Sequence, residues 1–539
     1  MTKGVSSVMS VAQAQSNPVQ LQVAPATLAA TSVSLIWQRP KGLPQAQYRV
    51  TDEAGHELAR RTVHQTHVTL TGLTPRSPYT FMVAVINGGS VVGTPATVTV
   101  TTRAAGPVID VTQAPYLADA TGRHMSTAKV QAAIDACPAG GTVLIPAGAT
   151  VQTGALFLKS HLTFRIEGTL QASVNAADYR ARAVYPGQVN ADGLILNRYE
   201  GWEMFTYASV LNAGWLNTSD RLAAECTDLT ICGHGTIDGG GMALGNAMRQ
   251  LYADKKKFPE YVSDNQGGRR NRGRLIQLLQ CHDVDIHDLT LQNPPAWTVH
   301  MVYCDTVTTH DVTILSHGID NGDGWDPDSS RHMMIYGTTF DIGDDCITVK
   351  SGKNPEGNHL NLPTEHVRVF DVHMRGGHGM IVGSEMSGGV SDVVIRDSRI
   401  EHTTYGLELK ANPDRGGYIR DVTMQDCRVD RFAAHSVPYN ADGAPAPDLP
   451  VVEDITVADA VITGAEKQPV DLIGFTRDDR VSPIRRVRMT NVTLGVAMGG
   501  VKEIRMQHCT DVTLTNVRQA SNGQLPAIKQ TDVKQLTVQ

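Results

Sequence analysis

The chain has 539 residues, 41% of them hydrophobic and 19% charged, enough to bury a large core in more than one domain. No uninterrupted apolar run reaches the roughly 18 residues that a membrane-spanning helix needs, and a net charge of −7 gives the molecule no overall attraction for nucleic acid. The eight cysteines show neither CxxC nor zinc spacing.

Residues 1–18 carry Lys3, a weak apolar run over 5–11 and Ala12-Gln-Ala14. They read as a shortened signal peptide, which implies a secreted or periplasmic protein, or as an ordinary disordered terminus. Across 19–104 charge is low, and the runs 33–37, 48–50, 68–70, 79–86 and 96–100 alternate apolar with polar between turn signals. That pattern predicts a β-sandwich. Leu73-Thr-Pro-Arg-Ser-Pro-Tyr79 resembles the tyrosine corner of a fibronectin type III domain, with Trp37 as its buried tryptophan. No catalytic constellation lies here, so the expected role is that of a spacer or docking module.

After a linker over 105–125, residues 126–136 have helical spacing with Val130, Ala133 and Ile134 on one side. Such a helix would cover the open end of a stack of strands. Short β-branched runs then recur, with starts at 284, 307, 333, 367, 393 and 419, at intervals of 23, 26, 34, 26 and 26. Each repeat holds two short strands hinged by Asp, Asn or Gly, too short for a βαβ unit. A right-handed parallel β-helix over 105–539 is the expectation, and a large β-sandwich the alternative. On this frame most cysteines are small buried ladder residues, Cys281 and Cys304 occupying similar points of consecutive repeats; a Cys226–Cys232 disulfide is the alternative for that pair.

Two excursions break the rhythm, at 172–225 and 239–273, and loops of this length in a compact solenoid are usually functional or disordered. The second concentrates Arg249, Lys255, Lys256, Lys257, Arg269, Arg270, Arg272 and Arg274, interleaved with Tyr252, Phe258 and Tyr261. It reads either as a grip for an anionic chain or as a solvated basic loop.

Asp320, Asp323, Asp326, Asp328, Asp344 and Asp345 crowd into 26 positions among the repeats. Residues 21 apart on a β-helix sit about one coil apart, roughly 5 Å along the axis, so Asp323 is expected beside Asp344 and Asp345. Carboxylates packed this closely repel, which spreads their pKa values and makes a general acid/base device. Adjacent strand residues point to opposite faces, so Asp344 and Asp345 share a cleft only if the chain bends, which Gly343 permits.

Four ordered motifs over 105–539 resemble the polygalacturonases, glycoside hydrolase family 28. They are Asn321-x-Asp323-Gly-x-Asp326, Gly343-Asp-Asp-Cys346, Gly377-His-Gly379 and Leu407-Glu-Leu-Lys410. The resemblance implies inverting hydrolysis of polygalacturonate or pectic oligosaccharides by a monomer, with no metal, cofactor, nucleic acid or membrane involved. It implies Asp344 as the acid, with Asp323 and Asp345 activating water. His378 would orient Asp323 or touch substrate, and Lys410 would neutralise a uronate carboxylate. Asn321, Arg270 and Arg272 are further candidates for substrate binding. Where the family has Arg-x-Lys this chain has Glu408-Leu-Lys410, so either Arg415 supplies the missing charge or Glu408 binds a sugar hydroxyl. The long excursions and the extra β-domain resemble exo-acting members that work from the chain end. Alternatives are a rhamnogalacturonan or xylogalacturonan hydrolase, a calcium-dependent pectate lyase on the same frame, and a non-catalytic carbohydrate-binding solenoid.

Overall fold

The computed structural model describes residues 19–539 apart from 41, 184, 437–441, 465–467 and 496–502. The leader considered for 1–18 lies outside the described residues. The chain divides into two compact units, Met1–Ala105 and Gly106–Gln539.

The first unit is a sandwich of a three-stranded and a four-stranded antiparallel sheet. In Ser32–Gln38 the alternation puts Val33, Leu35 and Trp37 inward, where Trp37 meets Tyr48 edge-to-face at 5.1 Å. The Tyr79 hydroxyl accepts a hydrogen bond from the Thr74 amide at 2.8 Å, closing the expected corner.

The second unit is the parallel β-helix. One face stacks the strands Cys226–Cys232, Cys281–His287, Asp305–His310, Arg331–Tyr336, Thr364–Phe370, Val390–Arg396, Tyr418–Gln425, Val451–Ala458 and Ile484–Thr490. A second face is a 13-stranded sheet of shorter pieces. The third runs through Ile276–Leu279, Val299–Val302, Trp325–Asp328, Asp345–Val349, Gly379–Val382, Gly406–Ala411, Phe432–Ser436 and Val470–Ile473. Apolar residues from all three faces fill one continuous core.

The chain turns between the first and second faces at a column of left-handed residues. Asp288, Asp311, Asp371, Asp397, Asp426, Asp459, Asn491 and Asn516 have φ between 49 and 62°. Asp and Asn tolerate that conformation where other side chains pay a steric cost, which explains the hinge residues of the repeat. Helix Thr127–Ala136 buries Val130, Ala133 and Ile134 against the first coils, and the Gln131 side chain bonds the Phe157 backbone at 2.8 and 2.9 Å.

Three details correct the sequence reading. Val393 faces Val422, while Ile419 faces Val390, so that coil spans 422 − 393 = 29 residues rather than 26. Ile419 and Val422 flank the left-handed Asp421, and alternation alone cannot choose between them across such a bend. All eight cysteines are buried and free. Cys226 and Cys232 end one extended strand, about 20 Å apart at 3.3 Å per residue, far beyond the roughly 7 Å a disulfide spans; Cys226 instead sits beside Cys281 of the next coil. Finally, the excursion over 172–225 is interrupted by Leu211–Gly214, which joins the third face between Leu156–Leu158 and Ile276–Leu279.

Candidate active site

The acidic stretch falls on the third face. The backbone amide of Gly324 donates to the carbonyl of Asp345 at 2.9 Å, which sets Asp323 beside the Asp344–Asp345 pair one coil on. Strand Thr339–Ile342 stops short of Gly343, and a new strand starts at Asp345, so the two aspartates flank a corner. Both carboxylates therefore reach one histidine. His378 Nδ1 lies 2.6 Å from Asp345 Oδ1 and 3.4 Å from Asp344 Oδ1.

The glycines around His378 have steric reasons. A Cβ on Gly377, at φ +72°, would strike the Asp344 carbonyl oxygen, and one on Gly379, at φ +100°, would strike that of Gly406. Close approach of the backbones carries the imidazole onto the carboxylates, and the His378 amide donates to the Asp344 carbonyl at 2.9 Å. Among the described residues His378 thus bonds Asp345 and approaches Asp344 but makes no hydrogen bond to Asp323, which corrects one expectation. The hydrogen bond to Asp345 raises the His378 pKa.

Beyond the corner, alternation points Thr348 and Lys350 outward from Asp345–Val349 and its end, and Glu408 and Lys410 outward from Gly406–Ala411. Lys410 Nζ is 3.5 Å from Asp345 Oδ2 and 3.8 Å from Glu408 Oε2. Glu408, 1% exposed, meets His435 Nε2 at 2.5 Å.

The environments push the three aspartates apart. Asp345 is buried, which alone would raise its pKa, yet Lys410 and His378 hold it well below the usual carboxylate range. Burial and then the Asp345 charge raise Asp344. Asp323 is raised by burial, then by Asp344 and Asp326, and opposed by Lys350, whose Nζ is 3.5 Å away. Asp323 and Asp344 compete for one proton. The Lys350 ammonium opposes the rise at Asp323, and His378, 3.4 Å away, opposes it at Asp344. The result is one carboxylate held low beside two carboxyl groups raised above the usual range. Asp344, Asp345 and His378 also bring ligand-type atoms within 4.8 Å of one another, a spacing a metal ion could use, but Lys410 already supplies the positive charge there.

Other predicted ligands are placed differently. Arg272 is fully buried; it donates to Asn321 Oδ1 at 2.7 Å, to the Tyr199 hydroxyl at 3.0 Å and to the Asp320 carbonyl at 2.7 Å. Arg269 Nε bonds the same Asn321 oxygen at 2.8 Å. These arginines fix Asn321, so Arg272 does not itself present charge to a ligand. Arg270 is buried between Glu200, 2.7 Å from its Nε, and Asp442, with its guanidinium 4.8 Å over the Trp202 ring. Arg415 is also fully buried, donating to the Ser384 carbonyl at 3.0 Å and Asn354 Oδ1 at 2.7 Å. It cannot replace an arginine at position 408; the charge of Glu408 is met by His435 and Lys410.

Sequence reasoning missed Lys350, Glu385 and His435. Lys350 lies five positions past Asp345, an odd spacing that strict alternation sends to the opposite face; a register shift between Asp345 and Ile347 lets both face the cluster. The Lys350 ammonium lies 3.5 Å from Asp323, 3.6 Å from Asp326 and 3.7 Å from Glu385, over the Trp297 ring at 4.6 Å.

Residues 215–442 match the model of Glycosyl hydrolases family 28, and 16–102 match that of the Fibronectin type III domain. An exo-poly-alpha-D-galacturonosidase of Dickeya chrysanthemi is 28% identical over 398 residues, covering 68% of this chain and 62% of its own length. This chain therefore spans about three-fifths of that relative. An endo-polygalacturonase of Pectobacterium parmentieri is 28% identical over 383 residues, 68% of this chain and 84% of its own. Among solved structures, the Yersinia enterocolitica family 28 exopolygalacturonase superposes with a TM-score of 0.81 at 22% identity, over 96% of this chain and 99% of that one. The Thermotoga maritima exopolygalacturonase gives 0.58 at 22% identity, over 79% and 91%; both likenesses are of fold. The solenoid thus matches glycosyl hydrolase family 28 over 215–442, and the sandwich matches the fibronectin type III domain over 16–102.

Proposed function

We propose that this protein hydrolyses α-1,4-galacturonosyl bonds of polygalacturonate with inversion, acting from the non-reducing chain end. The observation that carries the proposal is the convergence of Asp323, Asp344, Asp345 and His378 on one face, with one carboxylate pushed below its ordinary pKa and two above it. Inversion needs a protonated carboxyl at the glycosidic oxygen and a carboxylate that takes a proton from water on the opposite side of the sugar. Asp344 keeps its proton to higher pH than a free aspartate, so it serves as the acid. Asp345, held ionised and aimed by His378, receives the proton from water, and ionised Asp323 completes the seat of that water. Lys410 meets the uronate carboxylate.

Support for end-on attack comes from the hairpin Ile195–Tyr199 with Trp202–Thr206 and from Lys353. Trp202 donates to the Asn354 carbonyl at 3.1 Å, and Lys353 lies 4.4 Å over its ring while pairing with Asp442. These contacts tie the hairpin to the segment that follows Lys350. The relative named as an exo-enzyme supports the same reading, while the endo-acting relative is the competing case. We take the protein to act as a monomer, secreted or periplasmic, with the sandwich as a spacer or docking module.

The test is a time course on polygalacturonate, following product size by chromatography and anomeric configuration by proton NMR. Short products from the first minutes, formed with inverted configuration, are expected. A ladder of intermediate lengths would replace exo by endo action; net retention would overturn the three-aspartate assignment. Faster cleavage of rhamnogalacturonan or xylogalacturonan would move the substrate to another pectic backbone.

A further inference from the structure

Lys350 is a fully enclosed ammonium at the centre of the acidic cluster. Four carboxylates surround it: Asp323 at 3.5 Å, Asp326 at 3.6 Å, Glu385 at 3.7 Å, and Asp345 acting at longer range. The Trp297 ring closes another side at 4.6 Å. Its backbone is pinned as well, since the Lys350 amide donates to the Pro327 carbonyl at 2.8 Å and Thr364 Oγ1 donates to the Lys350 carbonyl at 2.5 Å. One ammonium carries a single positive charge against three close carboxylates. Glu385 has further cations of its own, being held ionised at about 2, against its burial, by Lys350 and then Lys353, Arg415 and Lys410. Asp326 has Arg274 as a second cationic neighbour. Asp323 faces Asp344, Asp326 and Asp345, all acidic, and Lys350 is the one cation found within ion-pair distance of it among the described residues.

We propose that Lys350 is a positioning residue for the reaction: its ammonium, shared between Asp323 and Glu385, holds Asp323 as a carboxylate and thereby leaves the cluster's proton on Asp344. The inference rests on the proposed glycoside hydrolysis. It separates the duties of the two water-side carboxylates. Asp345 stays ionised throughout the working range because Lys410 and His378 hold it low, so it never limits the rate as pH falls. Asp323, pushed up by burial and by Asp344, is the group whose protonation ends activity on the acid side, and Lys350 sets where that happens. Glu385 competes for the same ammonium and moderates the effect.

The two partners therefore predict opposite shifts. An opposite charge at this distance lowers a carboxyl pKa by about 1–3 units, so Lys350→Met should move the acid limb of the kcat/KM profile on polygalacturonate upward by about that much. At the pH optimum its kcat should fall at least tenfold, with KM changed less. Glu385→Gln frees the ammonium for Asp323 and should move the same limb downward. Thermal unfolding, followed by circular dichroism, confirms that each variant is folded. Lys350→Arg retains the charge and should keep the limb near its wild-type position even if kcat is reduced. Should Lys350→Met not fold, Glu385→Gln and Lys350→Arg carry the test by themselves. Folded variants that lose kcat without moving the limb, or that move it in the same direction, would overturn the proposal. An inactive wild-type enzyme on pectic substrates would instead overturn the reaction on which it rests.

Discussion

The bond from His378 to Asp345 is the shortest contact among the proposed catalytic side chains, and its loss has a calculable signature. His378 Nδ1 sits 2.6 Å from Asp345 and 3.4 Å from Asp344, and His378→Ala removes both contacts. A hydrogen bond to a charged group contributes about 1.5–3 kcal/mol. Converted at 1.36 kcal/mol per decade, that is a fall in kcat of roughly 10- to 150-fold if the bond aims the base in the transition state. The pH profile should change on one side only. Asp345 is also lowered by Lys410 and Lys350, so it stays ionised and the acid limb stays in place. Asp344 loses a cationic neighbour that lowers its pKa, so the alkaline limb, where the acid gives up its proton, moves upward. Since His378 is partly open to solvent, a shift of about one unit or less is expected. Steady-state kinetics on defined oligogalacturonates between acid and neutral pH would show both effects. A kcat within about threefold of wild type, or a downward move of the alkaline limb, would refute the role assigned to His378.

Asp344→Asn keeps shape but has no acidic proton to give, so kcat should fall about 10²- to 10⁴-fold with substrate still bound; retention of a tenth of the wild-type kcat would exclude it as the acid. Glu408→Gln should cost activity, because it strips the charged partner from His435 at 2.5 Å and from Lys410 at 3.8 Å; unchanged KM and kcat would show that this side chain is a bystander. Arg415→Ala should lower the melting temperature more than it changes KM, since the guanidinium bonds only internal oxygens among the contacts described; a tenfold rise in KM in a folded variant would restore it as a ligand. A chain beginning at Ala105 should fold and cleave soluble oligomers with a similar kcat, because solenoid coils are stabilised by their neighbours; a folded but inactive product would place part of the site in the sandwich.

What could be read before the structure was whatever depends on period. The β-branched repeats, the Asp and Asn hinges and the placement of Asp323 one coil from Asp344 and Asp345 all follow from residues close together in the chain. The reading failed where direction and distant partners decide. Arg270, Arg272 and Arg415 look like ligands for an anion because each is an arginine near the motifs. Their partners are Glu200 and Asp442, Asn321 and Tyr199, and Ser384 and Asn354, contributed from other coils and loops. Nothing in the local sequence distinguishes a guanidinium turned inward from one facing a groove. The register of the coil at 393 is hidden for a related reason: the left-handed Asp421 interrupts the alternation that would fix it.

Stacking parallel coils also explains why a cluster this acidic can exist in a buried face. Each coil advances the chain by about 4.8 Å, so a residue type set outward in one coil is met by whatever occupies the same column in the next. The column through Asp328 continues to Lys350, and the one through Lys410 to His435. Cations thus fall one step from the aspartates, close enough to lower a pKa and too firmly placed to swing between them. In the neighbouring column Glu408 stands opposite Ala433, so it turns to His435 and Lys410. An arginine at position 408 would have to share that space with the Lys410 ammonium and the His435 ring. A glutamate there pairs with both and holds Lys410 against Asp345. On this account the departure from Arg-x-Lys is tied to His435: the two positions form one electrostatic unit, and changing either alone leaves a buried charge without its partner.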